Sequence, residues 1–439
     1  MRVTRRRVLP FQTREAWRLA ALFALAYFAQ GMWYLPQQTI TVVLKDRGLS
    51  AGQVADFFFL STIPWLIKPL YGVVADLVPL GRSRRKGYFV LMSTLATAAG
   101  LTLGATGAIA SGPITTAALA LPGLGDVRFT LVAGVGLFTV MAVGLAFTDV
   151  LTDAIMVETG RPLGLTGAFQ SVQWAALYLS AIVVGVVGGW LAAGRRLDLA
   201  LLVTSAFPLV TLVVAAVGLP AAPASADPAP GRATLRAMGS AMGARDVWVV
   251  AGFIFFWTFS PSFGPAFLYY QTDALGFGQQ FIGTLDAVAS VGSVVGALAY
   301  APLSRRVPLR RLIVTSIGLG TTATLAYLLY RGPMSAIVIQ AAFGVVGMVT
   351  SLSFLDLAAK ACPPRVEATF FALLMSVYNG GTQVSQNVGA RLYDAFGYTP
   401  LVLTSAAVTA AAWLLVPLVG IERIEARARA ATPDAATAA

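Results

Sequence analysis

The 439-residue chain contains no histidine and a single cysteine, Cys362. Without histidine the side chain that ordinarily titrates near neutral pH is missing, so any proton movement has to rest on carboxylates. The same absence argues against a Cys/His metal or haem ligand set, and one thiol excludes an intramolecular disulfide. Charge is scarce as well: 11% of residues are charged and 57% hydrophobic, whereas about a quarter of a soluble domain is charged. There is no phosphate-binding glycine loop and no Ser/His dyad, so neither an enzyme nor a cofactor is expected. The charge that exists is lopsided, 31 Lys/Arg against 19 Asp/Glu. Its basic residues form short clusters between apolar segments, a pattern of membrane topology rather than of a nucleic-acid partner.

What the chain has is hydrophobic length. Splitting it at charge clusters, Pro/Gly runs and polar turns leaves twelve apolar segments: 17–44, 52–77, 87–110, 129–157, 165–193, 197–219, 247–274, 279–303, 310–330, 333–361, 366–392 and 399–420. Each is near or above the roughly 20 residues that span a bilayer as a helix. The basic stretch before the first segment has no small-residue cleavage site after it, so that helix is expected to be retained. An all-α membrane protein with twelve transmembrane helices follows. With the N-terminus in the cytoplasm, 23 Lys/Arg lie on the cytoplasmic side and seven opposite, leaving Lys68 inside a span. The positive-inside rule therefore places both termini in the cytoplasm of a multi-pass cell-membrane protein, at the inner membrane in a bacterium.

Two six-helix halves are expected, 1–219 and 246–425, joined by the Pro/Ala-rich segment 220–245 with room for an interfacial helix, and followed by a disordered tail, 426–439. The halves echo each other. Gly72-Val-Val-Ala-Asp76 precedes Arg82, Arg84, Arg85 and Lys86, while Gly296-Ala-Leu-Ala-Tyr300 precedes Arg305, Arg306, Arg310 and Arg311. Duplicated halves are the design of a rocking transporter with its solute held near the midplane. Such a carrier is expected to work as a monomer in the lipid bilayer.

Gly-x-x-x-Asp before a basic cluster resembles the loop after helix 2 of the major facilitator superfamily, here with Leu77-Val-Pro-Leu-Gly81 inserted. By that resemblance Asp76 and Arg85 belong to a cytoplasmic gate. Tyr27-Phe-Ala-Gln-Gly31, Leu44-Lys-Asp-Arg-Gly-Leu-Ser50, Pro64-Trp-Leu-Ile-Lys-Pro69, Asp149-Val-Leu-Thr-Asp153 and Cys362-Pro-Pro-Arg-Val-Glu367 resemble the folate-biopterin transporter family within that superfamily. The resemblance implies proton-coupled uptake of folates or pterins. Members also carry other solutes, including S-adenosylmethionine. The alternatives are a superfamily carrier of drugs or peptidoglycan fragments, or a membrane sensor, for which a soluble signalling domain is missing.

Independently of family, Asp149 and Asp153 are four residues apart on one helix face. Two carboxylates together in a low-dielectric site do not both ionise easily, which suits proton coupling; the alternative is structural pairing with a cation. A carboxylate also fits the adjacent amino and ring N–H donors of a pterin, and the sequence leaves open which acid takes that part. Gln30, Gln173 and Asn379 are expected to line a cavity or to bond between helices. Trp33 and Trp65 offer faces for a flat heterocycle, or else pack. Ser260-Pro-Ser-Phe-Gly-Pro265 predicts an interrupted helix 7. Lys68, between Pro64 and Pro69, costs roughly 2.5–3.5 kcal/mol at a bilayer centre unless it is answered. It is expected to face the central cavity and meet a substrate carboxylate or an acid of helix 4.

Overall fold

The computed structural model describes residues 11–78, 80, 85–121, 125–163, 165–218, 239, 243, 245–362 and 367–431. The expected linker, 220–245, lies almost entirely outside them. In a bilayer the backbone has no water to bond, so apolar segments satisfy it internally as helix. Ten helices among the described residues are long and apolar enough to cross a membrane. The first half comprises α1 (Arg14–Gly31), a 3-10 turn (Met32–Tyr34), α2 (Gln37–Asp46), α3 (Ala51–Leu66), α4 (Lys68–Leu77), α5 (Lys86–Thr106), the short α6 (Ala108–Ser111), α7 (Val135–Leu163), α8 (Thr166–Ala193) and α9 (Leu197–Val217). The second comprises α10 (Arg245–Thr258), α11 (Pro265–Tyr269) with a π turn (Tyr270–Ala274), α12 (Gln279–Arg306), α13 (Leu309–Ala326), α14 (Pro333–Ala361), α15 (Glu367–Phe396), α16 (Tyr398–Val419) and α17 (Ile421–Ala431). With α1/α2, α3/α4 and α10/α11 taken as single interrupted passes, the order is consistent with twelve crossings.

The interruptions fall where prolines demand them. Pro64 and Pro69 each remove a backbone donor, and the chain leaves helix at Ile67 (φ −101°, ψ 17°), so that α4 starts at Lys68. The seventh pass breaks over 259–264, ending at Gly264 with φ 46°, a conformation that glycine takes without a Cβ clash. The break rests on α15: Ser385 Oγ donates to the Ser260 carbonyl at 2.5 Å and Ser262 N–H donates to the Ser385 carbonyl at 3.3 Å. Gly389 makes this seat possible, since a Cβ there would lie 1.8 Å from the Ser262 oxygen.

Two elements correct the sequence reading. The fourth helix starts at Val135 rather than 129, because the chain before it forms a hairpin, β1 (Ile114–Leu121) antiparallel to β2 (Gly125–Val132), with Ile114 opposite Val132. The tail expected to be disordered from 426 instead continues helical to Ala431. Gly420 (φ 63°) ends α16, Ile421 and Ile424 then bury against the second half, and Asp246 accepts hydrogen bonds from Arg423 (2.9 Å) and Arg427. Those anchors give α17 a docking site that its exposed arginines alone do not suggest.

The two halves meet most tightly at the end of the bundle away from the termini, the far end. Gly185 and Gly189 of α8 face Gly283 of α12, where a Cβ on Gly283 would lie 2.1 Å from the Gly185 carbonyl; small residues permit this approach of backbones. Polar contacts cluster at the same end. Asp56 of α3, 2% exposed, accepts from Thr130 N–H of β2 (2.9 Å), Asn387 Nδ2 (2.9 Å) and Arg391 Nη2 (2.6 Å). Asp394 accepts from Ser50 Oγ (2.6 Å) and from the N–H groups of Ala51 (3.2 Å) and Gly52 (2.8 Å), so an acid of the second half caps the N-terminus of α3. Lys45 pairs with Asp273 at 2.6 Å, and Gln38 Nε2 reaches Gln279. Asp394→Asn is expected to loosen this seal: hydrogen exchange at the Ala51 and Gly52 amides should quicken by an order of magnitude, corresponding to about 1–2 kcal/mol for a charge-assisted bond. Unchanged exchange would show that the cap does not hold the halves together.

Candidate functional site

The break at Ile67 sets the site. It puts Lys68 at the start of α4, where a cation gains nothing from the helix dipole, and turns it toward α7. There its Nζ lies 2.5 Å from Asp149 Oδ2, with the Asp149 side chain 4% exposed and that of Lys68 18%. The same Nζ sits 4.7 Å above the Trp65 ring, a cation–π contact from one turn earlier in α3. One turn along α7, the half-buried Asp153 accepts a hydrogen bond from Tyr27 Oη of α1. Tyr34, in the 3-10 turn, stays 52% exposed within electrostatic reach of Lys68 and Asp149. One cation thus faces two carboxylates among aromatic rings. Among the described residues no three His, Cys, Asp or Glu side chains converge as a metal ligand set.

The sequence-predicted residues divide. Lys68, Trp65, Asp149 and Asp153 come together as described, and Asp149 of α7 is the partner of Lys68. Gln30 is half-buried, one turn beyond Tyr27 on α1. Gln173 is 1% exposed and its Nε2 has no hydrogen-bond partner among the described residues. It lies on the α8 face that packs on α1, between Phe169 against Phe23 and Ser180 against Gly31, hence near the level of Tyr27. Asn379 is half-buried on α15 and shares no hydrogen bond with the cluster among the described residues. Trp33 does not line open space: it is 3% exposed and stacks on Phe138 at 4.3 Å, because its helix face turns into the core of the first half. The Asp76 side chain lies outside the described residues, while Arg85 pairs with Glu158 of its own half at 2.5 Å.

Tyr34, Asp56 and Asp394 have no part in the sequence reading, and Tyr27 enters it only as the first residue of a family motif. Asp56 carried a usable signal, an acid directly before three phenylalanines in an apolar run. Asp394 carried none, since its partner is the distant N-terminus of α3.

The sequence model of the BT1 family matches residues 30–418. The chain belongs to the BT1 family. Among relatives, it is 30% identical to the Folate-biopterin transporter of Synechocystis sp., over 88% of this chain and 76% of that protein. It is 24% identical to Probable folate-biopterin transporter 4 of Arabidopsis thaliana, over 88% and 91% of the two chains, and 22% identical to Folate transporter 2 of Plasmodium falciparum, over 82% and 76%. In fold it is similar to solved structures of a nucleoside transporter (TM-score 0.67, 14% identity) and a D-xylose–proton symporter (0.67, 12%), each covering 92% of this chain and 99% of the other. The BT1 chain is therefore a multi-pass transporter with the major facilitator fold, not an enzyme.

The ion pair makes a sharp prediction for this BT1 protein. Lys68→Met leaves Asp149 buried without its cation and is expected to destabilise by about 3–5 kcal/mol, whereas Lys68→Met with Asp149→Leu, which removes both charges, should regain most of that loss. Thermal unfolding of the purified variants in detergent measures it. Losses that simply add in the double variant would contradict a coupled pair.

Proposed function

We propose that the protein carries folate- or pterin-type solutes into the cell together with protons, by alternating access. The observation that carries this reading is the Lys68–Asp149 pair with Asp153 one turn away, in the middle of the bundle. Two carboxylates against one cation leave an excess of negative charge. An anionic solute enters that field favourably when a proton enters with it, and with histidine absent the carboxylates are the carriers. In this scheme the solute's carboxylate takes Lys68 from Asp149, and the freed Asp149 or Asp153 takes the proton. Gln30, Trp65, Gln173 and Asn379 complete the solute's surroundings.

The names of the relatives from Synechocystis and Plasmodium support the folate class. The positive-inside rule supports a cytoplasmic basic end and a cell-membrane location. The far-end contacts then belong to a state closed to the outside, from which residues 1–219 and 246–425 rock as two bodies. In the opposite state Asp76 and Arg85 latch the cytoplasmic end.

Uptake into proteoliposomes of folate, biopterin, 5-formyltetrahydrofolate and S-adenosylmethionine, with and without an inward proton gradient, tests the proposal. Folates or pterins should enter faster with the gradient, and Asp149→Asn or Asp153→Asn, whichever removes the proton's acceptor, should abolish that acceleration while leaving binding measurable. A rate indifferent to the gradient would contradict proton coupling, and entry of S-adenosylmethionine alone would reassign the solute.

A further inference from the structure

One intramembrane acid has no part in this scheme. Asp286 lies on α12 seven residues in from Gln279, about 10 Å along the axis from the far-end contacts. The neighbours of α12 fix which way Asp286 points. Gly283 and Ala287 pack on α8, and Gly292 and Gly296 pack on α14, while Val291, Val294, Val295 and Leu298 form its exposed apolar stripe. At 100° per residue Asp286 sits about 130° from the middle of that stripe. It shares a face with Ser290, Ser293 and Ala297, spaced i, i+4, i+7 and i+11. That small, polar face lies between the α8 and α14 contacts, opposite the lipid-facing stripe, and so turns to the bundle interior.

Asp286 is exposed there although its neighbours Leu285 and Ala287 are buried. Among the described residues nothing bonds to its carboxylate. Neither tyrosine within its electrostatic reach bonds to it among the described residues: Tyr327 Oη donates to Gln340 Oε1 at 2.9 Å, and Tyr330 Oη accepts from Gln271 Nε2 at 2.7 Å. An unanswered carboxylate in a membrane interior is costly and is retained for a use. Of the three central acids, Asp149 is held by Lys68 and Asp153 takes the hydrogen of Tyr27. Asp286 alone has both oxygens free.

We infer that Asp286 accepts the adjacent amino and ring N–H donors of the solute's heterocycle as a bidentate pair, so that a bound solute joins the two halves, its ring on α12 and its anionic end at Lys68. This rests on the pterin reading and says which acid serves the ring. A carboxylate matches two parallel donors, and a charged acceptor makes each bond stronger. A solute held by one half at each end also gives the rocking motion a reason to wait for its load.

Competition for bound radiolabelled 5-formyltetrahydrofolate by pterin and by lumazine tests the assignment, because the two competitors differ in carrying an amino or an oxo group at ring position 2. The wild-type protein should prefer pterin by at least about tenfold. Asp286→Asn, which keeps the side-chain shape, should shrink that preference to about twofold. Asp286→Ala provides a second folded variant, and binding in detergent requires no transport. A pterin preference unchanged in both variants would overturn the role of Asp286 alone. A wild-type protein that binds neither 5-formyltetrahydrofolate nor pterin would overturn it together with the folate reading.

Discussion

The pairing of Lys68 with Asp149 is the constraint around which the rest of the bundle is arranged. A lysine at this depth has to be answered, and its answer requires a helix that opens at the right residue. Pro64 and Pro69 supply the opening, Trp65 supplies a ring face for the cation, and α7 supplies the acid. Stability does not account for such a pair, since apolar residues of similar volume would often hold a bundle as well or better. A buried charge pair makes physical sense where one partner is exchanged during the working cycle. In the proposed scheme Asp153, bonded to Tyr27 one turn away, offers the neighbouring place for the proton.

At the far end the two halves are joined. Beside an apolar seam that runs across the halves, the polar contacts are short and bilateral: acids of each half, Asp56 and Asp394, take donors from the other. Capping of α3 by Asp394 uses unpaired N–H groups that the helix has to satisfy anyway. The exposed contacts, Asp394 with Ser50 and Lys45 with Asp273, break into water at modest cost because each group can rehydrate, whereas the buried Asp56 costs more to strip of its partners. The close approach at Gly185 and Gly283 adds a contact about which the halves can pivot. A seal of this kind holds one state without trapping the carrier in it.

Much of this was legible in the sequence, for local reasons. Apolar length and proline position are local properties, so most of the spans, the opening around Lys68 and the broken seventh pass could be read directly, although the fourth helix begins only at Val135. The i, i+4 spacing of Asp149 and Asp153 likewise dictates a shared face. Partnership across the bundle is not local. Nothing near Asp394 announces that it caps α3, and nothing near Trp33 says that Phe138 will cover it. The β1–β2 hairpin escaped because the apolar end of β2, Phe129 to Val132, runs on into the apolar fourth segment, and α17 because Asp246, which anchors it, lies far away in sequence.

The central claim is that the solute takes Lys68 from Asp149 and that a carboxyl group is protonated as it does so. Infrared difference spectroscopy of the purified protein on addition of 5-formyltetrahydrofolate tests this most directly. The account predicts that a protonated-carboxyl band appears on binding in the wild-type protein and is lost or shifted in Asp149→Asn or Asp153→Asn. Binding without such a band, with every carboxylate still ionised, would contradict it.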